Sequence, residues 1–240
     1  MNLAVISDIH ANREALDSVL QSLEDRSIDR IICLGDIVNY GVDFDYCVEK
    51  VKEIAAVCVM GNHDSTVVQK DPLWHMNREA QKSALWTMER LSPDHRSYLE
   101  RLPLTHSEND MLFVHSAPGA PGRWDYITNW FDAEVQFDNF SERLCFVGHS
   151  HIPGVYGQSE GRTRCREGMA GLDPELKFII NVGSVGQPRD QDPRASFAVV
   201  EAEANRVEIV RVTYDVQKAS GKIAAAGVSS FHARRILVGV

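Results

Sequence analysis

From Met1 to about Ser65, short apolar runs alternate with amphipathic helical patterns, and this alternation limits the possible folds more than any other feature of the chain. Leu3-Ala4-Val5-Ile6 reads as a buried strand. Asn12 is placed to cap a helix carrying Ala15, Leu16, Val19, Leu20 and Leu23 at helical spacing. Ile31-Ile32-Cys33-Leu34 is a second strand, and Tyr46, Val48, Val51 and Ile54 mark a second helix. Val57-Cys58-Val59-Met60 is a third strand. Strand, helix, strand, helix, strand is the pattern of a parallel sheet built from βαβ units, because parallel neighbours need a long crossover.

A helical excursion follows at about residues 72–102, with Ala80, Ala84, Leu85, Met88 and Leu91 on one face. Ser92-Pro93 restarts a helix inside it, serine as cap and proline at the first helical position. Apolar runs return at Met111–Val114, Leu144–Val147, Phe178–Ile180, Ser196–Val200 and Val207–Val210 with few helices between them. These later runs predict a second, partly antiparallel sheet. Pro118–Trp130 and Gly157–Gly171 read as loops. With no internal repeat and no linker, the expectation is a single α/β domain over residues 1–240.

Asp and Glu number 34 against 25 Lys and Arg, a net charge of -9 that argues against stable nucleic-acid binding, which needs a basic footprint. Small phosphorylated substrates remain open, since their binding depends on local charge. The apolar runs reach about half of the ~20 residues of a membrane span, and Met1–Val5 carries no leader pattern. Five cysteines without a CxxC pair fit neither a disulfide framework nor a thiolate zinc site. Cys33, Cys58 and Cys145 sit in apolar runs, and a reducing cytoplasm is the expected setting.

The informative residues stand where the apolar runs end. The first leads into Asp8-Ile9-His10, the second into Gly35-Asp36, and the third into Gly61-Asn62-His63-Asp64. Phe113-Val114 ends in His115, and Phe146-Val147 in Gly148-His149-Ser150-His151. Ligand sites of α/β sheets lie beyond the carboxyl ends of strands, so five strands deliver metal-competent side chains to one rim. Any one of these signals is common; the five together are not. Carboxylate, imidazole and amide donors suit manganese, iron, cobalt, nickel or zinc. Seven candidate ligands are too many for one ion with open positions and about right for two, which at ~3.5–4 Å separation clamp a phosphoryl group.

Together these blocks, with Gly41 and the run Asn181-Val-Gly-Ser-Val-Gly-Gln-Pro-Arg189, resemble the calcineurin-like metallophosphoesterase superfamily, and its small bacterial and archaeal phosphoesterases in particular. The resemblance implies a four-layer α/β/β/α sandwich of two mixed β-sheets flanked by helices. It implies one metal held by Asp8, His10, Asp36 and His151, and another held by Asp36, Asn62, His115 and His149, with Asp36 bridging. The cofactors would be two divalent transition-metal ions, manganese first, with iron, zinc, nickel or cobalt as alternatives. The implied reaction is hydrolysis of a phosphodiester or phosphomonoester by in-line attack of a metal-bridging hydroxide, with His63 as general acid to the leaving oxygen. Two dications less two carboxylates and a hydroxide leave a net positive site in an acidic protein.

One departure narrows the substrate. The Ser/Thr protein phosphatases carry Asp-Arg where this chain has Asn39-Tyr40. Asn39 can still bond His63 but without a full charge, and Tyr40 lacks a guanidinium fork. That favours a small or nucleotide-like phosphorylated substrate over a phosphoprotein. A dinucleoside polyphosphate hydrolase, a phosphoprotein phosphatase and a metal-bound interaction scaffold are the alternatives. Arg189 is a candidate phosphate contact, and Trp124, Tyr126 and Trp130 a candidate aromatic wall. Arg162, Arg164 and Arg166 form a candidate basic lip, and His75 a candidate specificity residue.

Overall fold

In the computed structural model, which describes residues 1–159, 161 and 165–240, the opening alternation becomes β1 (Asn2–Ile6), α1 (Arg13–Leu23), β2 (Arg30–Cys33), α2 (Phe44–Ile54) and β3 (Ala55–Cys58). The three strands pair in parallel. Asn12 caps α1, its Oδ1 accepting from the Ala15 N–H at 3.1 Å. After β3 comes the short α3 (Asn62–Val67), and the excursion at about 72–102 holds α4 (Arg78–Met88) and α5 (Pro93–Glu100), the last capped by Ser92 Oγ.

The second half supplies β4 (Thr105–Glu108), β5 (Met111–Val114), α6 (Trp130–Glu134), β6 (Leu144–Val147), β7 (Gly154–Gly157) and β8 (Gly168–Gly171). It continues with β9 (Phe178–Asn181), β10 (Ala195–Glu201), β11 (Arg206–Val212), α7 (Val216–Ala225) and α8 (Ser230–Arg235). The segment read as a loop from Gly157 to Gly171 thus includes a short edge strand, β8. Two mixed sheets result, ordered β3-β2-β1-β10-β11-β8 and β4-β5-β6-β9-β7.

Strands β10 and β11 belong to the first sheet, not to the second with which their sequence neighbours grouped them. The reason lies in β1. Its flank away from β2 would leave buried backbone N–H and C=O groups unpaired, and β10 closes it antiparallel, Leu3 opposite Val200 and Val5 opposite Ala198. These four side chains face the second sheet and join Phe113, Leu144, Phe146, Phe178 and Ile180 in the core between the sheets. On the opposite face of the first sheet, Ala4, Ile6, Phe197 and Val199 pack with apolar residues of α1 and α2. Cys145, Val147 and Ile179 cover the outer face of the second sheet with α6 and Phe137. Each fully buried Leu, Ile or Phe contributes about 1.5–3 kcal/mol of transfer free energy against its ordering cost. The architecture is the expected α/β/β/α sandwich. Among the described residues, no helix is long and apolar enough to cross a membrane.

Candidate metal centre

The carboxyl ends of β1, β2, β5 and β6 meet at one rim, and the backbone there is bent into unusual conformations. Asp8, His10, Asp36, Asn39, Tyr40, His149 and His151 all have φ between +50° and +72°. Such left-handed positions cost free energy in non-glycine residues and persist where the surroundings fix them. Here the fixing groups are visible. The buried Asp64 carboxylate accepts from the backbone N–H groups of Asp36, Ile37, Val38 and Gly61 at 2.7–3.3 Å, pinning the turn that carries Asp36. Burial, then the charge of Asp36, pushes Asp64 up to about 7. The loop after β9 supports Asp8: Ser184 Oγ donates to its carbonyl at 2.8 Å, and the Gly186 N–H does so at 2.9 Å. Two glycines stand against the carboxylates. A Cβ on Gly61 would lie 2.1 Å from Asp36 Oδ1, and one on Gly148 2.5 Å from Asp8 Oδ2.

Backbone carbonyls set the histidine tautomers, since a carbonyl can only accept. His10 donates from Nδ1 to Val38, His115 from Nδ1 to Leu34, and His151 from Nδ1 to Gln187, at 3.2, 2.8 and 2.6 Å. His149 does the reverse, donating from Nε2 to the Trp124 carbonyl at 2.8 Å. The remaining nitrogen of each ring is a lone pair, the arrangement that orients imidazoles toward metals. The Nε2 atoms of His10 and His151 face each other at 3.2 Å. Asp8 Oδ1 and Asp36 Oδ2 are buried without a hydrogen-bond partner. His115 Nε2 lies 3.3 Å from Asp36 Oδ2 and 3.3 Å from Asn62 Oδ1.

Converging lone pairs and orphaned carboxylate oxygens in a dry site are costly unless positive charge sits among them. Protonation answers in the same way: burial opposes it, yet Asp36 and Asp8 push His115 up to about 9. Burial likewise works against charge on Asp8, and His151 and His115 outweigh it, so its carboxyl titrates below the ordinary range. Among the described residues, two groups have donor atoms close enough to share an ion: Asp8, His10, Asp36 and His151; and Asp36, His115 and His149. Asp36 belongs to both. The donor set therefore fits two cations of intermediate hardness.

His63 stands beside this cluster, its Nε2 4.0 Å from Asp36 Oδ2. Asn39 Oδ1 accepts the Tyr40 N–H at 2.8 Å, which turns the amide Nδ2 toward His63 Nδ1 at 2.6 Å. Nδ1 must then accept, and the ring proton sits on Nε2, facing the centre. Burial lowers His63 to about 4, and Arg189 adds to the shift. Tyr40 packs on the rings of His10 and His63, each centroid 4.5 Å away, and Arg189 Nη2 lies 3.4 Å from its hydroxyl.

A cavity of about 320 Å3 opens beside His149, lined by Asn62, His75, Arg123, Trp124 and Tyr126 among others. Tyr126, 53% exposed, stacks on His149 at 4.0 Å and 11°. Trp124 is tied by its indole N–H to Asp71 Oδ2 at 2.8 Å. Trp130 is not part of this wall: it packs against the core under the second sheet, its indole N–H reaching the Gly157 carbonyl. Arg162 and Arg164 lie outside the described residues, and Arg166 is exposed. The sequence alone assigns no role to Asp64 or to Arg235, which lies over the Phe231 ring. Position in the Gly-Asn-His-Asp block was the available signal for Asp64; Arg235 had none.

Comparison with known proteins shows the family and the fold. A family profile described as the calcineurin-like phosphoesterase superfamily domain matches residues 1–205. An uncharacterised protein of Methanocaldococcus jannaschii is 39% identical over 241 aligned positions, covering 99% of this chain and 98% of that protein. The crystal structure of a metallophosphoesterase from Sphaerobacter thermophilus superposes with a TM-score of 0.90 at 37% identity, covering 100% of this chain and 99% of the other. A protein of Pyrococcus horikoshii shares the fold at a TM-score of 0.80 and 19% identity, over 100% of this chain and 98% of its own.

Proposed function

The chain belongs to the calcineurin-like phosphoesterase superfamily, and on that footing we propose that it is a metal-dependent hydrolase of small phosphorylated or nucleotide-like esters, working in a reducing cytoplasm that the buried thiols of Cys33, Cys47 and Cys145 suit. The observation that carries this reading is Asp36, which belongs to both ligand groups and whose Oδ2 is buried without a hydrogen-bond partner. Asp8, His10, Asp36 and His151 would hold one divalent cation, and Asp36, Asn62, His115 and His149 the other. Two such ions polarise a phosphoryl group and lower the pKa of bound water; manganese heads the candidates on donor chemistry.

The chain's own residues do the rest. His63 supplies a proton to the leaving oxygen from Nε2, the atom already facing the centre. An imidazolium also needs an acceptor at Nδ1, and Asn39 can provide one by turning its amide. The Tyr40 N–H is not orphaned by that turn, because Ser83 Oγ accepts it at 2.7 Å. Arg189 approaches Tyr40, and Trp124 and Tyr126 line the cavity beside His149. The half-exposed face of Tyr126 gives one specific argument for a nucleotide-like leaving group, a dinucleoside polyphosphate included, since a base can stack on it.

A manganese-supplemented screen tests the reading with p-nitrophenyl phosphate, bis(p-nitrophenyl) phosphate, cyclic nucleotides and diadenosine tetraphosphate. Metal-dependent release from at least one is expected. Metal binding without turnover of any of them would favour the scaffold alternative.

A further inference from the structure

Each metal-competent histidine is oriented by a backbone carbonyl, but the four carbonyls are not held alike. Three belong to segments tied to the rim by their own N–H groups. Leu34 donates to the Ile6 carbonyl at 2.8 Å, Val38 to Asp64 Oδ1 at 3.3 Å, and Gln187 to Ser184 Oγ at 2.8 Å. The fourth carbonyl, which accepts from His149 Nε2 at 2.8 Å, is that of Trp124. This residue lies in the loop between β5 and α6, and its N–H reaches the Pro121 carbonyl at 3.4 Å. Its φ is +60°, a left-handed conformation that costs free energy in a bulky residue and persists only where the surroundings impose it.

The side chain supplies the tie. The indole Nε1 of Trp124 donates to Asp71 Oδ2 at 2.8 Å, and the same oxygen accepts from Ser65 Oγ at 2.8 Å. Ser65 stands on α3, three residues after Asn62 and two after His63. At the base of the loop, Ser116 Oγ donates to the Pro121 carbonyl at 2.9 Å and the Ala117 N–H to the Asp125 carbonyl at 3.1 Å. A continuous chain of hydrogen bonds therefore runs from Ser65 through Asp71 and Trp124 to His149. It links the helix that carries Asn62 to the ring of His149, two donors of the second cation. The tryptophan ring also stands edge-on to His115, a third donor, with centroids 6.0 Å apart at 72°. Partners that orient a ligating imidazole fix its tautomer and its aim.

We propose that Asp71 and Trp124 are positioning residues for the second cation: Asp71 locks the indole, the locked Trp124 presents its carbonyl to the Nε2–H of His149, and Nδ1 is thereby kept as the lone pair offered to the ion. The ion at Asp8, His10, Asp36 and His151 stands outside this chain of bonds, because His10 and His151 donate to Val38 and Gln187 instead. The proposal rests on the two-cation reading for its effect on metal binding, but not for the tautomer of His149. Losing an orienting partner of this kind costs about 10–100-fold in metal affinity.

The test uses the metal-free full chain and two measurements: the tautomer of His149 by long-range proton–nitrogen NMR, and calorimetric titration with manganese. In the wild type the His149 proton is expected on Nε2, with two ions bound. Asp71→Ala removes the acceptor, and Trp124→Phe removes the indole N–H while keeping an aromatic ring. Each should give a mixture of His149 tautomers and weaken one ion about 10–100-fold, with the other bound as in the wild type; that retained ion also reports a folded chain. Asp71→Asn keeps an oxygen for both donors and should restore both readouts. Since the two residues act through one bond, combining Asp71→Ala with Trp124→Phe should lose no more than the larger single loss. An unchanged tautomer in both single variants, two unchanged affinities, or equal weakening of both ions overturns the proposal. If the wild type binds fewer than two ions while His149 still responds to both variants, the two-cation reading fails and the positioning role stands.

Discussion

Replacing Asn39 by Asp should strengthen the hold on a protonated His63 without disturbing the backbone. Asn39 has φ +72°, a conformation that Asn and Asp tolerate better than other side-chain-bearing residues. One carboxylate oxygen inherits the bond from the Tyr40 N–H; the other faces His63 Nδ1 across the 2.6 Å now spanned by the amide. In the wild type, burial first, with Arg189 adding to it, lowers His63 to about 4, and the amide nitrogen offers no acceptor to a second ring proton. A carboxylate at hydrogen-bond distance raises the pKa of a neighbouring cationic acid by roughly 1–3 units. At 1.36 kcal/mol per unit, that is about 1.4–4 kcal/mol in favour of the imidazolium. The sign is fixed: His63 stays protonated to higher pH, and no turn of the amide is needed. NMR titration of the His63 ring in the metal-free protein measures the midpoint directly. The basic limb of the pH–rate profile on phenyl phosphate, a poor leaving group, should move upward with it. A midpoint that stays in place or falls would refute the assignment of Asn39 as the group that sets the His63 proton.

Other perturbations follow from the same geometry. His63→Ala should keep both cations by metal analysis yet lose roughly 10²–10⁴-fold in turnover of phenyl phosphate, with a smaller loss on p-nitrophenyl phosphate; equal rates on the poor leaving group would remove His63 from the mechanism. Gly148→Ala places a methyl 2.1 Å from Ser7 Oγ and 2.5 Å from Asp8 Oδ2, so it should cost about 1–3 kcal/mol in stability by overpacking and lower metal occupancy; an unchanged melting temperature with two full sites would contradict this. Asn12→Ala loses the α1 cap and the 2.9 Å bond from Nδ2 to the Gly186 carbonyl, which should destabilise the chain by about 1–2 kcal/mol, read by denaturant unfolding.

Much of the centre was legible because strands deliver it. Apolar runs that stop at Asp8, Asp36, Asn62, His115 and His149 declare both the strand and the polar residue at its end, and a parallel arrangement brings such ends to one rim. What escaped were the features set by distant partners. The allocation of β10 and β11 depended on which edge of β1 was still open, a matter of tertiary pairing that local apolar patterning does not encode. The histidine tautomers depend on carbonyls of Val38, Leu34, Trp124 and Gln187, and every sequence has a carbonyl at every position. Trp130 and Trp124 sit in the same loop with similar surroundings in sequence, yet one faces the cavity and the other the core. Histidines without an evident role found structural ones: His95 bridges Asp45 and Glu49 at 2.7 and 2.6 Å, and His232 lies under Tyr40.

Anomalous diffraction from crystals grown with manganese would examine the paired cradle at the rim. Two peaks about 3.5–4 Å apart, with Asp36 touching both in the wild type and occupancy lost from both in Asp36→Asn, are the expected result. A single peak, or two peaks that survive Asp36→Asn at full occupancy, would contradict it.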